Sequence, residues 1–135
     1  MAKDAPDGVK LVTVSVVVNS EPIVPETTTE FLVLEVDRVT TTSTSYQTIV
    51  THTVTAGKIF ILCAAEMESD DYAHTYFKLE IGGVTIFTDK QFGNAYSPPI
   101  PALKLVAGTV VTLSCASTDG TSITVDGDIV GKEIG

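Results

Sequence analysis

Tryptophan is absent from the 135 residues, and there are only two cysteines, two histidines and eight lysines or arginines. Each shortage removes a class of protein. Eight scattered cations against 17 acidic residues give a net charge of −9, with no basic cluster to neutralise phosphates, which counts against nucleic-acid binding. No apolar run is long enough to cross a bilayer, so no membrane partner is expected. The opening residues Met1, Ala2, Lys3 and Asp4 lead into no apolar secretory core, and synthesis and folding in a cytoplasm is the expectation. The cysteines, Cys63 and Cys115, sit in apolar runs and read as buried free thiols, small hydrophobes in effect. A disulfide between them stays open if their strands face one another.

Catalytic signatures are equally scarce. There is no Gly-x-Ser-x-Gly elbow, and His52 and His74 are the only candidate bases, one among strand threonines and the other after an aspartate loop. No catalytic residue is assigned and the chain is read as no enzyme. Glu66, Glu68, Asp70 and Asp71 form the only acidic cluster and offer oxygen ligands suited to calcium, without the order of an EF-hand loop. Two histidines are an incomplete zinc set, so neither a metal nor a cofactor is assigned.

What is present points to strands. The length suits one domain, and an apolar content of 44% argues against disorder. Threonine and serine replace charge on the polar faces, and β-branched threonine packs well on a pleated sheet. The run 9–19 alternates Lys10, Val12, Val14, Val16 and Val18 against Val9, Leu11, Thr13, Ser15 and Val17, with both faces largely apolar. Pro22 and Pro25 then break it, so 1–26 reads as an arm with one strand, ahead of a sandwich domain at 27–135.

Further strands are expected at 30–40, where Leu32, Leu34 and Val36 are the cleaner apolar set, and at 46–55. The stretch 58–67 is the most hydrophobic, and its alternation predicts Ile59, Ile61 and Cys63 facing inward. Gly82-Gly83 joins two runs as a tight hairpin. Val111, Leu113 and Cys115 point inward on a later strand, and Gly127 suggests a bulge in the last one.

Ala56-Gly57 and Ala107-Gly108 are similar turns, but the inward sets that follow them have opposite parity, which speaks against a strict internal duplication. Eight or nine strands and no convincing helix predict an all-β fold, an antiparallel two-sheet sandwich of jelly-roll-like type. An immunoglobulin-like sandwich is second, lacking the tryptophan pin of that fold.

Four stretches carry a resemblance: Val-Thr-Ala-Gly-Lys at 54–58, Tyr-Phe-Lys-Leu-Glu-Ile-Gly-Gly-Val at 76–84, Leu-Val-Ala-Gly-Thr-Val-Val-Thr-Leu at 105–113 and Gly-Asp-Ile-Val-Gly-Lys-Glu at 127–133. In them the chain resembles small β-sandwich virion proteins of tailed phages and related viruses, of the capsid-decoration (cement) or tail-fibre type. The resemblance implies a virion location, the major capsid protein or another virion protein as partner, and a homo-oligomer, most readily a trimer. Its alternative is a receptor- or glycan-binding fibre head. From the residues themselves, the candidate partner-binding positions are Val12, Val14, Val16 and Val18 on the arm, and Phe92 and Tyr96 on the Pro-rich loop 91–101.

Overall fold

Short β-branched runs punctuated by Gly and Asp-Gly turns fold as a sandwich in the computed structural model, which describes residues 29–135. The candidate strand 9–19, with Val12, Val14, Val16 and Val18, lies outside the described residues. The order is β1 (Glu30–Thr41), β2 (Gln47–Thr53), β3 (Ile59–Ser69), a 3-10 turn (Tyr72–His74), β4 (Thr75–Ile81), β5 (Val84–Lys90), β6 (Leu103–Val106), β7 (Val110–Ser117) and β8 (Ile123–Ile134). Two four-stranded antiparallel sheets pack face to face, one in the order β1-β8-β3-β6 and the other β2-β7-β4-β5. Successive strands cross between sheets except at the β4–β5 hairpin, which is the jelly-roll arrangement of two Greek keys.

Glycines make the tight turns. Gly82 and Gly83, at φ +59° and +80°, turn the hairpin as a primed turn requires. The Ala-Gly turns before β3 and β7 place Gly57 at φ +80° and Gly108 at φ +85°, each closed by a hydrogen bond, Lys58 N–H to Thr55 O and Thr109 N–H to Val106 O. They lie side by side: Val54 N–H donates to Thr109 O at 2.9 Å and Gly108 N–H donates to Val54 O at 2.9 Å.

Between the sheets lie Phe60, Leu62 and Met67 from β3, Phe77 and Leu79 from β4, Val111 and Leu113 from β7, and Ile123, Val125 and Ile129 from β8, all essentially without solvent contact. At roughly 1.5–3 kcal/mol per fully buried large apolar side chain, this layer dominates the stability of the fold.

The structure corrects several expectations. On β3, Phe60 and Leu62 point inward, while Ile59 and Cys63 are exposed. A register shift between Leu62 and Ala64 then moves Ala65 and Met67 onto the inner face. The alternation misled because both sides of this strand are apolar. With Phe60 and Leu62 inward, β3 has the same parity relative to its turn as Val111 and Leu113 on β7, so the parity objection to equivalent turns falls.

Cys63 is exposed on the outside of one sheet and only Cys115 is buried, in the other; both are free. β8 shows no register shift at Gly127. That glycine instead makes room: a Cβ there would meet Ile49 Cγ2 at 3.0 Å. Gly131, two pairs further along the same face, would clash harder, at 2.1 Å from Ile61 O and 2.6 Å from the Phe60 ring.

Candidate docking face and acidic cleft

Leu32, Leu34 and Val36 alternate along β1, and the structure turns all three to the outside of the sheet, at 79%, 60% and 64% exposure. The opposite side of β1 supplies Val33 and Val39 to the core and Glu35 to a buried histidine, which is why the purer apolar set ends up in solvent. Registers extend this outer face across the sheet. Leu34 stands opposite Val130 and Val130 opposite Ala64, while Ile59 stands between Ile134 and Val106, the last 70% exposed. Cys63 joins this surface, and Lys104 and Lys132 are its cations. Exposed apolar side chains gathered on one face of a sheet make this the candidate docking surface.

Towards the other end the same face becomes acidic. Val36 stands opposite Asp128, and Asp128 opposite Glu66; Arg38 stands opposite Asp126, and Asp126 opposite Glu68. These residues line a cleft of about 590 Å³, walled on one side by Ala95. Arg38 forms a bidentate pair with Asp126, Nε to Oδ1 at 2.6 Å and Nη2 to Oδ2 at 3.1 Å, and this holds the Asp126 carboxyl below its ordinary value. Asp128 moves the other way: burial, then the neighbouring Glu66 charge, push its carboxyl up, and its Oδ1 has no partner. The sequence cluster is therefore divided. Glu66 and Glu68 face the cleft, Asp70 accepts the Thr124 N–H at 2.9 Å, and Asp71 binds His74. Among the described residues no group of three or more potential ligands converges on one metal position.

Among the described residues no nucleophile contacts either histidine. His52 lies between the sheets with Glu133 Oε2 2.8 Å from Nε2 and Glu35 Oε2 3.0 Å from Nδ1. Its ring packs 4.7 Å from that of Phe60. The Thr55 N–H also donates to Glu133, at 3.0 Å. Burial works to raise the Glu133 carboxyl, but the Thr55 and His52 contacts together hold it below its ordinary value. Composition gave no hint of this knot, since its members come from β1, β2 and β8. His74 is partly exposed at the 3-10 turn, its Nδ1 2.9 Å from Asp71 and its Nε2 3.7 Å from Asp119; the Asp71 contact first of all raises its pKa.

Phe92 and Tyr96 are half-buried. Their rings stack 4.1 Å apart, Phe92 stacks on the core ring of Phe77 at 5.2 Å, and Phe87 meets both edge-on. Tyr96 and Met67 exchange backbone hydrogen bonds of 2.9 Å, which pins the loop 91–101 beside the edge of β3. The loop is thereby fixed as a wall of the cleft.

No protein-family model, curated protein or solved structure matches the chain. The reading of its role rests on its own surface.

Proposed function

We propose that this chain is a structural virion protein, a capsid decoration (cement) protein that binds the major capsid protein and stabilises the capsid surface as a homotrimer. The observation that carries the reading is the outer face of the β1-β8-β3-β6 sheet, where Leu32, Leu34, Val36 and Val106 stand in solvent together on a chain of net charge −9. Such a face serves docking, not turnover. The jelly roll is an architecture that viral capsid domains share with lectins and cupins, so it supports the reading by analogy alone. The test is co-sedimentation with purified capsids, wild type against Leu34→Asp. Leu34 contributes nothing to the core, so the variant keeps its melting temperature while capsid binding falls at least about tenfold, the scale of one lost interface anchor. Undiminished binding by the variant, or a monomer that ignores capsids, overturns the reading.

The acidic cleft favours a second reading, a receptor- or glycan-binding head of a tail fibre. Carboxylates such as Glu68 and Asp128 accept sugar hydroxyls, beside the loop that carries Tyr96. Glycan-array signals lost in Glu68→Gln and Tyr96→Ala, with capsid binding absent, select it over decoration.

A further inference from the structure

β1 ends its sheet with twelve residues, and no described strand lies beyond it. In an antiparallel strand alternate residues bond to alternate sides, so every second N–H and C=O of β1 faces away from β8. A long edge of this kind, flanked by exposed Leu32, Leu34 and Val36, is a template for another strand. Its inner side is also incomplete. Phe31 shares the core-facing side of β1 with Val33 and Glu35, yet it is 47% exposed, and among the described residues Lys58 Nζ, 4.7 Å over the ring, is its polar cover.

The chain carries a segment that fits. Residues 9–19 form an eleven-residue run without proline, close in length to β1, and Pro22 and Pro25 are confined to the connection 20–29. Strands consecutive in sequence are neighbours in a sheet roughly two-thirds of the time. The two faces of the run also differ: Val12, Val14, Val16 and Val18 follow Lys10 on one, and Val9, Leu11, Thr13, Ser15 and Val17 line the other. The hydrophobic pattern decides which side a strand buries.

We infer that residues 9–19 pair antiparallel with the β1 edge of their own chain, as a fifth strand of that sheet. The valine face turns inward over Phe31 and Val33, and Thr13 and Ser15 lie beside Leu34 and Val36 on the outside. Val16 then stands opposite Val33. This placement is independent of what the outer face docks on: a capsid-binding protein with an open β1 edge would overturn the arm's position alone.

Residue-resolved amide exchange of the full chain tests it without any substitution. Every β1 amide, including those facing away from β8, is expected to exchange at least about a hundredfold slower than an open edge, as for strands inside a sheet. Free-rate exchange at alternate β1 amides overturns the inference. The second measurement pairs Val33→Cys with Val14→Cys, Val16→Cys or Val18→Cys in a Cys63→Ser full chain, oxidised at high dilution. Directly opposed strand positions lie within disulfide reach. A monomeric disulfide in one of the three pairs supports the placement. Disulfide-linked dimers alone, or no disulfide in any pair, overturn it.

Discussion

His52 Nε2 lies 2.8 Å from Glu133 Oε2, a contact that ties β2 of one sheet to β8 of the other. Both side chains are nearly buried, at 9% and 6% exposure, whereas the second carboxylate on the ring, Glu35, is 45% exposed. Removing the imidazole strands the Glu133 carboxylate with the Thr55 N–H as its remaining partner. His52→Leu should therefore destabilise the protein by about 3 kcal/mol in urea melts, the lower end for breaking a buried pair. Adding Glu133→Gln should recover at least half of that loss, because no buried charge is then left behind. Equal melts for His52→Leu and wild type would show the pair to be energetically idle.

The same carboxyl sets an acid limb. Glu133 is held below its ordinary value of 4.5, so the folded state binds fewer protons there than the unfolded chain. Its stabilising contribution is complete above that ordinary value and disappears as pH falls through the lower, folded one. Melting temperature recorded from pH 6 downward, over roughly three units, should fall less steeply for Glu133→Gln than for wild type. Parallel curves would contradict this.

Asp128 should behave in the opposite sense. Burial and Glu66 raise its carboxyl, so at neutral pH its charge opposes folding. Asp128→Asn is expected to raise stability at pH 7 while offering the neighbouring Glu66 a donor. The advantage should shrink on acidification, as wild-type Asp128 takes up its own proton. A variant less stable than wild type at pH 7 would show that the carboxylate is needed where it stands.

Gly131 and Gly93 form a paired test of packing. Gly131→Ala drives a Cβ to within 2.1 Å of Ile61 O, backbone that cannot step aside, whereas a Cβ on Gly93 meets nothing within 4 Å. The first should cost more than about 2 kcal/mol, at the upper end for overpacking. The second should be neutral or stabilising by up to about 1 kcal/mol through the unfolded chain. Chemical denaturation of the two variants checks both.

The cysteines report on the candidate docking face. Cys63 is exposed among its apolar residues, while Cys115 is fully buried with its thiol pushed up to about 11 by that burial. A thiol reagent at pH 8 should modify one group per native chain quickly and the second only on unfolding. Under the proposed decoration role, adding capsids should protect the fast thiol. Two fast thiols, or none, would contradict the placement of β3.

Architecture was legible in the sequence where one side of a strand differed from the other. β7 announced Val111, Leu113 and Cys115 as inward, and Gly82-Gly83 announced the hairpin. Legibility failed on β3, where both sides are apolar and alternation predicts Ile59 and Cys63 inward although both are exposed; on β1 the cleaner apolar set, Leu32, Leu34 and Val36, carries no sign in the sequence that it faces out. Gly127 showed the limit of turn rules, being a glycine kept for lack of room and not for backbone conformation. The His52 knot needed the third dimension, because Glu35 and Glu133 are 98 positions apart and meet only when β1 and β8 pair.

The pairing of β1 with β8 also orders events in time. Glu30 meets Ile134 and Thr41 meets Ile123, so β1 leaves the ribosome some 80 to 100 residues ahead of its described partner strand. At about 5–20 residues per second, its leucines wait roughly 4–20 s in the open before the centre of their sheet exists. A nascent chain in this interval is at its most sticky. Any cover for Leu32, Leu34 and Val36 during the wait has to come from residues already synthesised or from another molecule.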